Sequence, residues 1–557
     1  MRQRLLTWSL ALSLGALGTC LFHIALFSSG FELFPGDRGD ARTFVYLAEH
    51  WYQVFSGHGD LLSPAMFHPV KGSLGYTDTF VVYALPYSLL RVAGVDMFSA
   101  LMVPVVLLTF VNYLTCFILL NRVLNFNSVA SCAGAMFFAF NSPQLNHPGH
   151  FNSQPVLFLP LVVIFVIEFG RNAVSLTQKR AFWLLSLAAL CLDLQLLAAL
   201  YPGWFFVFWS FLFLILSLSL PATRFVVLAM IRKFWPAFIG GSAVFLIGLL
   251  PLVLIYLPVA RSVGPRPYPL VSRLIPEFWS LLIMGDRNYI WGRMSAALWR
   301  MHPLLSTEHN IGIGLVPSIT WLAISIWAIW MITRDARKHI ALNENPLATN
   351  SEANHLFLGV AILATNLFYL IGMKYWNDVS PWYYVYQFFP GARGFRTVAR
   401  YVTVLTLPMA IAFAFVMEVV LRKIAAQEKT LLRRCLTCAV FVLVSFGLVE
   451  QFGRAAAFSK SAEMIRLDRL AAKLPDDCSS FYVVAAAVRR PVKYEYQIDA
   501  MLVSIMRGIP TLNGYSGSVP PGWSLREVEA PDYEENVRKW IRLHNLDGNV
   551  CRLEIGE

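Results

Sequence analysis

The chain has 557 residues, of which 57% are hydrophobic, 14% aromatic and 14% charged. That is about half the usual charged fraction; a soluble enzyme of this length is excluded and a multi-spanning membrane protein is expected. Forty-five Lys and Arg outnumber 33 Asp and Glu, a formal net charge of +12, which in a membrane protein belongs to cytoplasmic loops and does not call for nucleic acid.

Residues 5–29 form an apolar run after Arg2 and Arg4. A cleaved signal peptide is the competing reading. The run is longer than an h-region and lacks an A-x-A site, so an uncleaved first span with a cytoplasmic N-terminus is expected.

A large outside loop, about 30–96, follows. It opens F-P-G-D-R-G-D-A-R-T, after which Phe44, Leu47, Ala48, Trp51 and Phe55 recur at helical spacing, as in a helix lying along the membrane surface. Asp40 stands at its start, where it reads as an N-cap or as a general base at the membrane boundary. Asp37 is a second carboxylate, suited to a metal or a sugar hydroxyl. The stretch F-H-P-V-K-G-S-L-G-Y-T-D-T holds His68, Lys71, Tyr76 and Asp78; it reads as an anion-contacting loop or an ordinary polar turn. Residues 79–93 contain Pro86 and Arg91 and are too short to span, so a juxtamembrane or re-entrant helix is expected.

Further spans are expected near 97–120, 128–142, 155–169, 182–200, 204–222, 234–258, 311–333, 355–373, 398–421 and 435–453, eleven with the first. Alternation places Arg122; Arg171, Lys179 and Arg180; Arg224, Arg232 and Lys233; Arg334, Arg337 and Lys338; and Arg422, Lys423, Lys429, Arg433 and Arg434 in cytoplasmic loops. The loops 143–154 and 201–203, on the other side, hold no Lys or Arg, as the positive-inside rule requires. An odd number of spans sends the C-terminus outside.

The uncharged loop P-Q-L-N-H-P-G-H-F-N-S-Q-P offers His147, His150, Asn152 and Gln154. H-x-x-H supplies two metal ligands without a third nearby; hydrogen bonds to phosphate or sugar hydroxyls are the other reading. The outside region 259–310 carries Arg261, Arg266, Arg273, Asp286, Arg287, Arg293, His302, Glu308 and His309 without a specific spacing. After a shorter loop at 374–397, P-G-A-R-G-F-R-T-V-A-R-Y places Arg393, Arg396 and Arg400 on the outer side, against the positive-inside trend. Arginines there suit bidentate phosphate recognition or headgroup snorkelling.

From residue 454 the composition is that of a soluble α+β domain: helices near 461–474 and 534–546 and a strand near 481–488. Asn513 and Tyr515, in N-G-Y-S-G, and Trp523, in P-P-G-W, lie in a Gly/Pro-rich loop that either covers the membrane site or makes structural turns. Six cysteines lie in apolar spans; Cys478 and Cys551 lie in the tail, where an oxidising compartment would pair them. Neither Walker A, G-x-S-x-G, H-E-x-x-H nor G-x-G-x-x-G occurs in a suitable context, which removes support for ATPase, hydrolase and dinucleotide readings.

The arrangement resembles the GT-C superfamily of integral-membrane glycosyltransferases. Its most specific piece, G-D-A-R-T-F-V-Y-L-A-E-H-W, is similar to the acidic residue and following helix of lipid A aminoarabinose and protein mannosyl transferases. The resemblance implies an all-α polytopic fold of about eleven transmembrane helices (residues 1–453) with a small external C-terminal α+β domain (454–557), in the cytoplasmic (inner) membrane. It implies a polyprenyl-phosphate sugar donor, a glycan, lipid or protein acceptor, and membrane lipid as the surround. Asp40 would be the base with Asp37 as runner-up, and Lys71, Arg393, Arg396 and Arg400 would receive the phosphate in an inverting displacement. His and Asn stand in 143–154 where some members have Asp or Glu, so the resemblance leaves metal dependence open, with His147 and His150 as the candidate ligands of a divalent metal. The competing classes are a transporter or flippase of lipid-linked saccharides, which calls for charges deep in the spans, and a non-catalytic envelope-assembly scaffold.

Overall fold

The computed structural model describes residues 2–171, 173–337, 351–375, 378–486, 493–546 and 548–556. Lys338 of the basic loops and the end of the strand expected at 481–488 lie outside the described residues. The molecule is mostly helical. Among the described residues ten helices are long and apolar enough to cross a membrane, from Arg4–Phe22 to Thr430–Val449.

The difference from the eleven expected spans is at 128–142. The helix there is Ser128–Ala139, only 12 residues, against the roughly 20 of a straight span. Its ends nonetheless match those of the first helix: Ser128 Oγ bonds Thr7 Oγ1 at 3.0 Å, and the Phe140 ring packs on Phe22. It therefore traverses the same depth. Ala130 to Ala139 are all buried, so its backbone is sheltered by protein rather than exposed to lipid. Glycines allow this packing: a Cβ on Gly15 or Gly18 would collide with Tyr113 or Phe140.

The span expected at 234–258 is divided. The helix Pro221–Gly248 kinks at Phe234, two residues before Pro236, and Leu250–Val263 begins afresh with Pro251 in its first turn. Before the kink, Lys233 Nζ donates to the carbonyls of Ala173 and Val174 at 2.7 and 2.9 Å. This joins two loops rich in basic residues. Near the opposite end, Tyr256 donates its hydroxyl to the Thr77 carbonyl, which places that end against the first loop.

The segment at 79–93 forms the helix Val81–Val92. Thr79 Oγ1 donates to Leu197 O at 2.6 Å and Arg91 Nε meets Glu49 at 2.8 Å. Leu85, Leu89 and Val92 form an exposed stripe at i, i+4 and i+7, the pattern of a helix with one face in lipid.

The expected helix forms as Asp40–Phe55. Its polar face is not open: residues 41 to 51 are buried all round. The apolar stripe packs toward the Val81–Val92 and Met97–Ile118 helices, and the other face is covered by the tail. Arg42 has no exposed surface; its guanidinium meets Glu463 at 2.8 Å and pairs with Asp499, and Arg466 joins the same two carboxylates. A buried cation is costly unless paired in this way.

The tail contains the helices Lys460–Ala472, Glu495–Arg507 and Tyr533–Leu543 and the parallel strands Ser480–Ala485 and Val550–Ile555. Cys478 and Cys551 form a disulfide at the strand ends. A second, antiparallel pair joins Leu33–Pro35 to Ala457–Ser459. One hydrophobic core takes Phe34, Phe44, Phe67 and Tyr83 from the first loop together with Leu467, Phe481, Met501 and Trp540 from the tail.

Replacing Arg42 by Ala leaves the two buried carboxylates with Arg466 and, at Glu463, the partly exposed Arg38. A loss of about 3 kcal/mol is expected, read as a lower unfolding midpoint in detergent and as faster proteolysis of the tail. An unchanged midpoint would refute the clamp.

Candidate functional site

Two glycines create the site locally. Gly36, at φ +107°, and Gly149 approach so closely that a Cβ on Gly36 would lie 2.6 Å from the Gly149 Cα and from the Ala41 Cβ. Only glycine tolerates both that φ and that contact. The approach brings the 147–150 loop against the start of the Asp40 helix. Gly39 is the N-cap, so Asp40 is the first helical residue and its side chain makes no cap. Asp37 Oδ1 instead accepts the Gly39 N–H at 3.0 Å.

Asp40 Oδ2 lies 2.6 Å from His150 Nε2, and the Tyr515 hydroxyl bonds the same carboxylate. Arg400 Nη2 is 3.4 Å from His150 Nε2; its guanidinium grips Glu308 through Nε at 3.1 Å and Nη2 at 2.7 Å. With Nε2–H given to Asp40, the Arg400 contact is proximity rather than a hydrogen bond. Arg400 also covers the Tyr201 ring at 5.2 Å. Asp78 accepts from Asn152 Nδ2 at 2.8 Å.

The carboxylates are electrostatically distinct. Burial pushes the Asp40 carboxyl up, but His150, Arg400 and Tyr515 outweigh it and hold Asp40 below the ordinary value of 3.8. Burial also opposes Glu308, yet Arg400 holds it well below the usual range. At Asp78 burial prevails and raises it. Burial lowers His147 to about 3, leaving it neutral. Asp40 is thus an ionised, oriented carboxylate.

The sequence-selected residues separate into groups. Asp40, His150 and Arg400 meet, with Tyr515 from the tail, and Asp78 lies beside them. His147, His150 and Gln154 line a cavity of about 20 Å³ together with Arg400 and Glu308. Lys71 is exposed beside Asp60 and His68, and Asp40 is acted on by other groups. Arg393 is exposed and bonds Gln387 Oε1 at 2.7 Å; Arg396 is exposed, its N–H on the Tyr201 hydroxyl. Several others dock the tail. The His68 carbonyl accepts from Trp540 Nε1, and the Tyr76 carbonyl accepts from Ser516 Oγ. Buried Asn513 holds Val483 N, Gln497 and Tyr533. Trp523 is buried edge-on to Phe67, its Nε1 on Leu512 O, so it packs in the core and offers no open stacking face.

His147 and His150 have ring centroids 5.1 Å apart. Among the described residues no three His, Cys, Asp or Glu side chains form a metal-ligand set. Arg400 itself stands between His150 and Glu308, Glu308 is engaged by Arg400, and Asp40 is engaged by His150 Nε2. The residues do not fit a metal, and no step is routed through one.

Sequence reasoning set Glu308, Tyr201, Tyr494, Gln144 and Asn310 in no role. Glu308 is 92 residues from Arg400, and no local pattern marks it. Tyr494 stacks near Tyr515 at 5.3 Å and closes on Gly39.

Neither a protein-family model nor a curated protein matches this chain. Among solved structures, the oligosaccharyltransferase of Archaeoglobus fulgidus, crystallised in the apo form, aligns over 98% of this chain and 69% of its own, with a TM-score of 0.52 and 12% identity. The likeness is one of fold: this chain has a GT-C-like membrane architecture.

Two outcomes are expected. Gly36→Ala should push the His150 loop from Asp40 and cut turnover at least tenfold while costing about 1–3 kcal/mol in stability; unchanged turnover would show that the close approach is dispensable. The Asp40 carboxyl should titrate below its ordinary value of 3.8, read by carboxyl-resolved NMR or infrared difference spectroscopy. Arg400→Gln removes a positive charge that lowers Asp40, so that titration should move to higher pH; a titration that stays put would dissociate Arg400 from Asp40.

Proposed function

We propose that the chain is an inverting membrane glycosyltransferase that moves a sugar from a polyprenyl-phosphate donor to a hydroxyl or amine acceptor. The observation that carries this reading is the Asp40–His150 contact of 2.6 Å, set beside Arg400 on a GT-C-like fold. Asp40 takes the acceptor proton as the acceptor atom attacks the anomeric carbon. The bond from that carbon to the phosphate oxygen breaks, and the phosphate leaves with the electron pair. Arg396, exposed at the edge where Tyr201 and Arg266 meet, receives the leaving phosphate. Arg393 lies on the same edge. Arg400 acts one layer inward, holding the charge of the Asp40 pocket.

The proposed placement is with the N-terminus cytoplasmic and the tail outside, in the cytoplasmic membrane. It is supported by the side on which the charges lie. Arg122 covers Trp8 near the start of the first helix, and Lys233 joins the 173–174 loop, whereas Asp40, His150 and the tail disulfide gather at the other end. Residues 1–453 are proposed as the transmembrane unit and 454–557 as the extracytoplasmic one.

A flippase reading has one observation in its favour. Asp193, in the helix Gln178–Ala198, is buried with both carboxylate oxygens unpartnered, beside Gly248 where the adjoining helix breaks. A carboxyl within a span is a marker of transport paths. It lies near the site end of its helix, and most buried polar groups gather at that end, which favours interfacial chemistry.

Purified full-length protein supplied with radiolabelled polyprenyl-phosphate sugars and envelope acceptors provides the test. Asp40→Asn should lower transfer by a factor of about 100 or more, and Asp37→Asn should retain most activity. Wild-type transfer by Asp40→Asn would remove Asp40 as base. A reporter fused after residue 454 that reads as cytoplasmic would overturn the placement.

A further inference from the structure

The cavity behind the Asp40 cluster carries more hydrogen-bonding capacity than the protein itself uses. Gln144 and Gln154 are each 5% exposed and Asn310 is 3% exposed. Gln144 Nε2, Gln154 Oε1, Asn310 Oδ1 and His150 Nδ1 are buried without a hydrogen-bond partner, and all four residues line the same cavity of about 20 Å³. Buried polar groups are nearly always satisfied, so four orphans around one space indicate that something polar belongs there.

The chemistry of the lining selects the occupant. Its two opposite charges, Glu308 and Arg400, are spent on each other. His147 is neutral. What remains is an amide N–H that donates, two amide carbonyls that accept and an imidazole nitrogen. A hydroxyl accepts from the amide N–H and gives its one proton to one of the facing acceptors, a pairing that a group which only accepts cannot make. A carboxylate offers no donor to the two carbonyls and would face Glu308. The space is that of about one water molecule, so it takes one substituent of a sugar rather than the ring. His150 and Arg400 belong both to this lining and to the Asp40 cluster, which places the substituent next to the reacting centre.

We infer that this cavity is the specificity pocket for the transferred sugar, receiving one hydroxyl-bearing arm of an uncharged monosaccharide through Gln144, Gln154 and Asn310. The inference rests on the glycosyltransferase reading. A site built to hydrogen-bond a hydroxyl strongly rejects the analogue lacking it, because its own polar groups are then left unpaired.

The test measures binding to the full-length protein in lipid nanodiscs. The probes are bare polyprenyl phosphate; polyprenyl phosphate carrying glucose, galactose, mannose or N-acetylglucosamine; the monodeoxy forms of whichever binds best; and the corresponding uronic acids. At least one neutral sugar should bind about tenfold or more above the bare lipid. One monodeoxy form should lose that gain, and no uronic acid should show it. Gln154→Met and Asn310→Leu should each abolish the gain and leave affinity for bare polyprenyl phosphate unchanged, which also certifies their fold. Gln144→Met serves in place of a variant that does not fold, and the wild-type discrimination stands without any variant. A gain that survives these substitutions, a uronic acid that binds as well as the neutral sugar, or no gain for any sugar while bare lipid binds would overturn the pocket and leave the transferase reading intact. Failure of every lipid, bare or glycosylated, to bind or react would overturn both.

Discussion

A single buried cation governs how this molecule is assembled. Arg42 has no exposed surface, and the carboxylates that neutralise it, Glu463 and Asp499, come from the tail more than 400 positions along the chain. An unpaired guanidinium in that core would be prohibitively costly. The tail must therefore dock for the Asp40 helix to be stable where it is. Because Arg42 sits two residues after Asp40, docking and placement of the carboxylate are one constraint. The same docking delivers the Tyr515 hydroxyl to Asp40 and the Tyr494 ring to Gly39. The tail is part of the site's construction.

Within the site, three carboxyl groups at close quarters are shifted in different directions by different partners. Glu308 is tied up by Arg400. Asp78, more strongly desolvated, is raised and accepts from Asn152. Asp40 alone is both depressed and partly exposed, with 35% of its side chain accessible. A base needs that combination: ionised at working pH, reachable by an acceptor, and fixed in direction by a neighbour. His150 gives the direction, and its other ring nitrogen turns toward the amide-lined cavity. One imidazole thus couples the base to the pocket.

Asp40 and the loop bearing His150 were legible in the sequence because charge and histidine stood out against apolar surroundings. The same conspicuousness misled elsewhere. Lys71, His68, Asn513 and Trp523 look like site residues, yet the His68 carbonyl accepts across the interface between first loop and tail, Asn513 satisfies groups inside the tail, and Trp523 packs on Phe67. A buried Asn and an active-site Asn have one signature in sequence. Glu308, Gln144 and Asn310 were illegible for the opposite reason. Their roles exist only where three distant loops converge, and no spacing rule spans such distances. The burial of residues 41–51 was illegible because amphipathic periodicity reports an apolar stripe but not what covers the polar face. Here a second domain covers it. The short span at 128–142 was legible as apolar, and its length made sense only once its ends were seen to match those of the first helix.

Exposed Arg393 and Arg396 and half-buried Arg266 gather at one edge of the site. Arg266 is pushed below its ordinary basicity by burial and by the neighbouring Arg396, and among the described residues neither forms an ion pair. Like charges held side by side are an unfavourable arrangement that an anion relieves. Arg266 also donates to the carbonyls of Gly394 and Gly517 and to Ser518 Oγ. It therefore ties the loop bearing Arg393 and Arg396 to the loop bearing Tyr515. In the proposed reaction, a lipid phosphate arriving at this edge would tighten both loops at once. Donor binding would then be felt at Asp40 through Tyr515, without any change in the membrane helices.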